Sequence, residues 1–215
     1  MTGGDNYMEP INESSEAPIA EVADIDRERY ETVREEVDRK TDSIYVQNRL
    51  SEAECSLEYW LKNRDVIKQI ITALEEAASQ EIGESFFSRI GNLLMQIQRG
   101  YKTRYDLKTY TGIVRRRYER DGMSGIKKYV QLEVCMGFAE DPISNGIEET
   151  IRHSEAEVRR ITDIIEHNSV QDAASRLYIF GACHEIWDIR KRILKTEYGI
   201  DWKTPAETHP YIDFD

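Results

Sequence analysis

From Asp26 onward the apolar residues recur at intervals of three and four, so that successive ones line one face of an α-helix. Tyr30, Val33, Val37 and Ile44 mark such a face and predict a first helix from about Asp26 to Asn48. Ser51 followed by Glu54 has capping-box spacing, in which two side chains satisfy amide donors at a helix start, and predicts a second helix there. Its stripe is Leu57, Trp60, Ile67, Ile71, Leu74 and Ala78, a heptad seam with Arg64 at one seam position. A third helical stretch opens near Glu84 with Phe86, Phe87, Ile90, Leu93, Leu94 and Ile97 and continues through Tyr101, Tyr105, Leu107, Ile113, Val114 and Tyr118. Gly100 and Gly112 interrupt it, each at a cost of about 1 kcal/mol against alanine in a helix interior, so a break or kink is expected at one of them. Asp121-Gly122 and Ser124-Gly125 are turn chemistry and close the stretch. The segment from Ile126 to Phe138 fits both a strand alternation and a helical face. Helix is preferred, because no second strand candidate lies nearby to pair with it.

The last third is the most regular. After Asp141-Pro142, the residues Ile147, Ile151, Ser154, Val158, Ile161 and Ile165 form an unbroken heptad seam. Asn168-Ser169 separates it from a second arm carrying Ile179, Ala182, Ile186, Ile189 and Ile193. That arm stops at Gly199, where a left-handed residue can satisfy the end carbonyls while Ile200 folds back. Thr204-Pro205-Ala206-Glu207 has the cap, the first-turn proline and the third-position Glu of one further helical turn. Trp202, Tyr211, Ile212 and Phe214 are expected to pin the terminus to the body. The fold class expected is therefore all-α: a helical bundle of about six helices ending in a long antiparallel helical hairpin. Residues 26–141 form a helical region and 142–215 the hairpin with its docking tail. A homodimer through the heptad-patterned helices is a second use for the same seams.

Composition adds a tail and removes several function classes. Residues 1–26 hold seven acids and no Lys or Arg, with too little apolar area to offset ordering, so 1–25 is expected to be a disordered acidic tail. The 215 residues carry 41 acids and 29 bases, a net charge of −12, and the longest apolar-type run, Leu177 to Cys183, is too short for a membrane-crossing helix. With neither a secretory nor a mitochondrial leader pattern at the N-terminus, a cytoplasmic protein is expected. The three cysteines, Cys55, Cys135 and Cys183, have no CxxC spacing and apolar neighbours, which favours small buried hydrophobes over a disulfide or zinc site.

Little in the chain supports catalysis. There is no GxxxxGK[ST], GxGxxG or GxSxG pattern and no HExxH, so no cofactor is expected. Glu149, His153 and Glu157 stack on one helical side and would suit a divalent ion in an all-α phosphohydrolase, the alternative enzyme reading. Ordinary pairing four residues apart accounts for them equally well. Glu28, Glu31, Glu35 and Asp38 repeat acidic pairs on one helix among Arg27, Arg29, Arg34 and Arg39, which is the pattern of a salt-bridged surface.

Charge distribution is more informative. Residues 1–98 and 129–215 carry net charges of −11 and −8, whereas 99–128 carries +7. In that basic segment Arg104, Lys108, Arg115, Arg116, Arg117, Arg120, Lys127 and Lys128 are interleaved with Tyr101, Tyr105 and Tyr110. Cations follow phosphates and aromatic faces accept unstacked bases, so these eleven residues are the candidate contacts to nucleic acid or to an acidic partner surface. A single-stranded nucleic-acid binder is one reading. Another is that rows of Glu and Asp elsewhere occupy a basic channel that normally holds nucleic acid.

Cys183 to Asp215 carries His184-Glu185-Ile186-Trp187, Lys191-Arg192-Ile193-Leu194-Lys195 and the run Tyr198 to Glu207. On these elements the segment resembles the closing part of small uncharacterised helical proteins of Firmicutes phages and mobile elements. The resemblance implies a mobile-element origin and names no activity. The function expected is thus a non-enzymatic interaction protein that binds a host protein or nucleoprotein complex handling nucleic acid, as an anti-CRISPR-like inhibitor of a defence nuclease would, without a membrane partner.

Overall fold

The computed structural model describes residues 24–77, 82–98, 105–135, 138, 140–212 and 214, and these carry eight helices and no strand. The protein is all-α. The helices are α1 (Asp24–Glu76), α2 (Glu84–Gln96), α3 (Leu107–Cys135), α4 (Pro142–Asn145), α5 (Ile147–His167), α6 (Val170–Arg176), α7 (Ala182–Tyr198) and α8 (Pro205–Thr208). Among the described residues no helix is long and apolar enough to cross a membrane. The acidic tail expected over 1–25 lies outside the described residues, apart from Asp24 and Ile25, which open α1.

Two compact units divide the chain, one built from residues up to 45 together with 170–215, the other from 46–169. α1 contributes to both. Its 53 residues run unbroken through Ser51, so the capping box expected there does not form. The reason is local: Asn48-Arg49-Leu50-Ser51 contains neither Gly nor Pro, and strong helix formers on both sides carry the helix through.

In the discontinuous unit, Tyr30, Val37 and Tyr45 of α1 are buried with Ala173, Leu177, Trp187, Ile189, Ile193 and Trp202. The Tyr45 hydroxyl donates to the Leu177 carbonyl at 2.9 Å, and Arg190 pairs with Asp38 at 2.8 Å. α7 ends as expected at Gly199, whose φ of 65° is left-handed, and the Ile200 amide donates back to the Leu194 carbonyl at 3.0 Å. The Thr204 capping box also forms, with Thr204 Oγ1 accepting from the Glu207 amide and Glu207 Oε2 from the Thr204 amide. The second arm of the expected hairpin is instead two helices, α6 and α7, because Gly181 takes a left-handed φ of 77° between them. Ile179, assigned to the seam, is consequently exposed, as are Tyr211 and Ile212, while Phe214 does dock edge-on against Trp187 at 5.1 Å.

The contiguous unit has a core of Trp60, Ile67, Ile70 and Leu74 from α1, Phe87, Ile90 and Leu94 from α2, Val114, Ile126 and Val130 from α3, and Ile147 and Ile151 from α5. Asn63, fully buried, clamps the chain after α2: its Oδ1 accepts from the Gln98 amide at 2.6 Å and its Nδ2 donates to the Gln98 carbonyl at 3.1 Å. The heptad seam of α5 is buried or half-buried along its length. Cys135 is buried with Sγ 3.0 Å from the Glu140 carbonyl, and burial pushes its thiol up to about 11. Cys55 is exposed, contrary to its apolar sequence neighbours, because it falls on the outer face of the continuous α1.

Glu148 at the start of α5 receives Arg64 at 2.6 Å and Lys68 as well, and these donors hold its carboxyl below the usual glutamate range. A carboxyl with a lowered native pKa contributes stability above its ordinary value, and that contribution is lost as pH falls through the lowered one. Glu148→Gln should therefore lower the melting temperature near neutrality and flatten its decline below about pH 4.5. Melting curves of both chains from pH 7 to pH 3 that run parallel would refute this.

Candidate nucleic-acid interface

Of the eleven candidate cations and tyrosines the structure describes nine, and eight of them lie on α3, with Lys108 in its first turn; Tyr105 precedes it. Tyr101 and Arg104 lie outside the described residues. α3 begins where Asp106 accepts the Thr109 amide at 2.8 Å; the Thr109 side chain and then this amide hold the Asp106 carboxyl below its usual range. The expected helix through Glu84 to Tyr118 is thus two elements, α2 ending at Gln96 and α3 starting at Leu107.

Gly122 breaks α3 into two arms. Its φ of 62° and ψ of −151° lie in a region open essentially to glycine alone, so the turn chemistry expected at Asp121-Gly122 is realised as an elbow inside one helical segment. Three residues on, the second arm passes so close to the first that a Cβ on Gly125 would stand 2.4 Å from the Arg117 carbonyl oxygen and 2.8 Å from Asp121 Cβ. Beyond the elbow the chain is helical through Cys135, as preferred for this ambiguous stretch.

A groove of about 750 Å³ lies in this elbow, lined by Tyr105, Arg116, Arg117, Arg120, Tyr129 and Glu133, with Ile113 and Glu119 completing its walls. Positions 113, 116, 117 and 120 share one face of the first arm, and 129 and 133 share one face of the second. Arg117 lies over the Tyr129 ring with its guanidinium carbon 5.7 Å from the centroid, which fixes the guanidinium plane on an aromatic face. Arg116 folds back over Gly112, where a methyl group would already touch Nη1 at 3.5 Å, and it has no hydrogen-bond or ion-pair partner among the described residues. Arg120 donates to Asp121 at 2.7 Å and holds that carboxyl below its usual range. Arg116 and Arg117 thus both line the groove without a carboxylate partner among the described residues.

The chain matches no family model, no curated protein and no solved structure. Its site is accordingly defined by geometry alone.

The remaining candidates divide clearly. Arg115 pairs with Glu84 across to α2 and is part of the scaffold. Lys108, Lys127 and Lys128 are exposed and form no ion pair among the described residues, but they stand outside the groove. Tyr110 corrects the expectation that it offers a stacking face. Its ring is 1% exposed within the core, and what it presents is an edge-on contact, 5.5 Å away, to the half-exposed Tyr105. Tyr118 is likewise packed on Phe87 at 5.5 Å. Tyr129 and Glu133 cannot be picked out from the sequence, because their place in the groove depends on the elbow bringing the second arm back; the Asp-Gly pair is the available signal.

On α5 the residues of the metal reading are engaged with one another and with arginines of their own helix. Glu149 takes Arg152 and, at 2.7 Å, His153 Nε2, and Glu157 takes Arg160 at 2.7 Å through both oxygens. Among the described residues no three His, Cys, Asp or Glu side chains are placed to hold a metal ion. Within the acidic repeat on α1, Arg34 lies near both Glu31 and Asp38, as a salt-bridged surface would place it.

Proposed function

We propose that this is a non-enzymatic binding protein of phage or mobile-element origin, which engages a host nucleic-acid-handling complex by holding nucleic-acid phosphate in the elbow of α3. The observation that carries the reading is the pair Arg116 and Arg117, left without carboxylate partners among the described residues in a groove wide enough for a ligand. Arginine presents a planar set of donors that matches phosphate oxygens, and a guanidinium already fixed on an aromatic ring loses less freedom on binding. The overall charge of −12 does not cancel this local field, since screening at physiological salt confines it to about 8 Å. It does oppose a long run along a duplex. A protein that grips one short stretch of nucleic acid inside a larger complex, and repels the rest, has the character of an inhibitor of a defence nuclease.

The test is capture of a partner from bacterial lysate by the full chain, compared with Arg116→Glu/Arg117→Glu. The parent should retain a nucleoprotein complex, and the double reversal should lose at least tenfold of it with an unchanged melting temperature. Equal capture by both chains would overturn the reading.

A further inference from the structure

We propose that the elbow groove is a site for a single unpaired nucleotide, with its phosphate on Arg116 and Arg117 and its base stacked on Tyr105; this deepens, and rests on, the reading of α3 as the nucleic-acid contact. Three features of the groove select this ligand over a continuous phosphate backbone. Glu119 stands on its wall beside the arginines, and its carboxylate repels a further phosphate passing through. Among the described residues the cations of the groove, Arg116, Arg117 and Arg120, all stand on the first arm, and with Arg120 paired to Asp121 the other two match a single anionic group.

The second feature is Tyr105. Half of its surface is exposed, it lines the same groove, and its ring meets that of the buried Tyr110 at 80° with the centroids 5.5 Å apart. A half-exposed aromatic ring held by a buried neighbour offers a base a pre-formed surface, and every base has a π-face to stack on it. The third is the division of the tyrosines themselves. Tyr110 and Tyr118 are committed to packing, so stacking is available at one described position of the basic segment, enough for one base rather than a strand. A base paired in a duplex is covered on both faces and cannot reach Tyr105, so the groove distinguishes unpaired from paired nucleic acid.

Fluorescence anisotropy of the full chain with a labelled ten-nucleotide single strand, and with the same strand annealed to its complement, tests this. The single strand should bind at least tenfold more tightly than the duplex. Tyr105→Ala should weaken it about fivefold or more, Tyr105→Phe should leave it unchanged, and Arg116→Gln should weaken it at either tyrosine. The logarithm of affinity should fall with the logarithm of salt at a slope of about one, as for one or two phosphates of a single strand. Adenosine monophosphate should displace the strand at lower concentration than inorganic phosphate. Equal affinity for single strand and duplex, or no effect of Tyr105→Ala, overturns the nucleotide site while leaving an arginine contact to phosphate in place. Absence of any nucleic-acid binding, with undiminished partner capture by Arg116→Glu/Arg117→Glu, overturns both.

Discussion

Gly125→Ala will destabilise the contiguous unit by about 3 kcal/mol, because the added methyl must sit where the Arg117 carbonyl oxygen already lies 2.4 Å away. Backbone, unlike the end of a flexible side chain, cannot step aside without opening the elbow. The arms would separate and Ile126 and Val130, both fully buried, would lose their packing on the rest of the core. Gly122→Ala acts at the same place by a different route, since a side chain at φ 62° and ψ −151° is strained whatever space surrounds it, at a cost of about 2 kcal/mol. Urea unfolding followed by far-ultraviolet dichroism measures both. A Gly125→Ala chain as stable as the parent would show that the two arms do not meet this closely. Both variants should also lose binding at the groove, whose two walls come from opposite arms.

The second large effect is expected at Trp60, which is fully buried and surrounded by Tyr59 at 5.1 Å and Phe138 at 5.5 Å. Trp60→Ala should cost about 3–5 kcal/mol, the sum of lost apolar burial and the cavity left between those rings. Trp60→Phe should cost less than half of that. The indole Nε1 is buried without a hydrogen-bond acceptor among the described residues, so phenylalanine removes a donor whose desolvation is uncompensated while keeping most of the ring area. Equal losses for the two substitutions would contradict this account of the indole.

What could be read before folding was what depends on neighbours in the chain. The α5 seam from Ile147 to Ile165, the glycine stop at Gly199 and the Thr204 cap are patterns of seven residues or fewer per repeat, and each is realised in place. Ser51-Glu54 shows the limit of such reading. A capping pair begins a helix only where something has ended the previous one, and nothing between Asn48 and Ser51 does. Buried polar residues were illegible for another reason. Thr41 and Asn63 look like surface positions until the carbonyl of Val37 and the backbone of Gln98 satisfy them. The basic segment was legible as charge but not as a site. Which tyrosine faces water, and which arginine keeps a free guanidinium, depends on contacts from α2 and on the return of the second arm.

The division of the chain has a consequence for its synthesis. Residues 46–169 are contiguous, so that unit has all of its parts as soon as they emerge from the ribosome. The other closes on Tyr45 only when Leu177 arrives, 132 positions later, and its α7 and Trp202 are made after that. Until then the early part of α1 waits without its lid, with Tyr30, Val37 and Tyr45 available to chaperones. A message cut short after the groove is encoded would yield a chain that still carries the arginines but leaves that apolar stripe uncovered, a ready substrate for proteolysis.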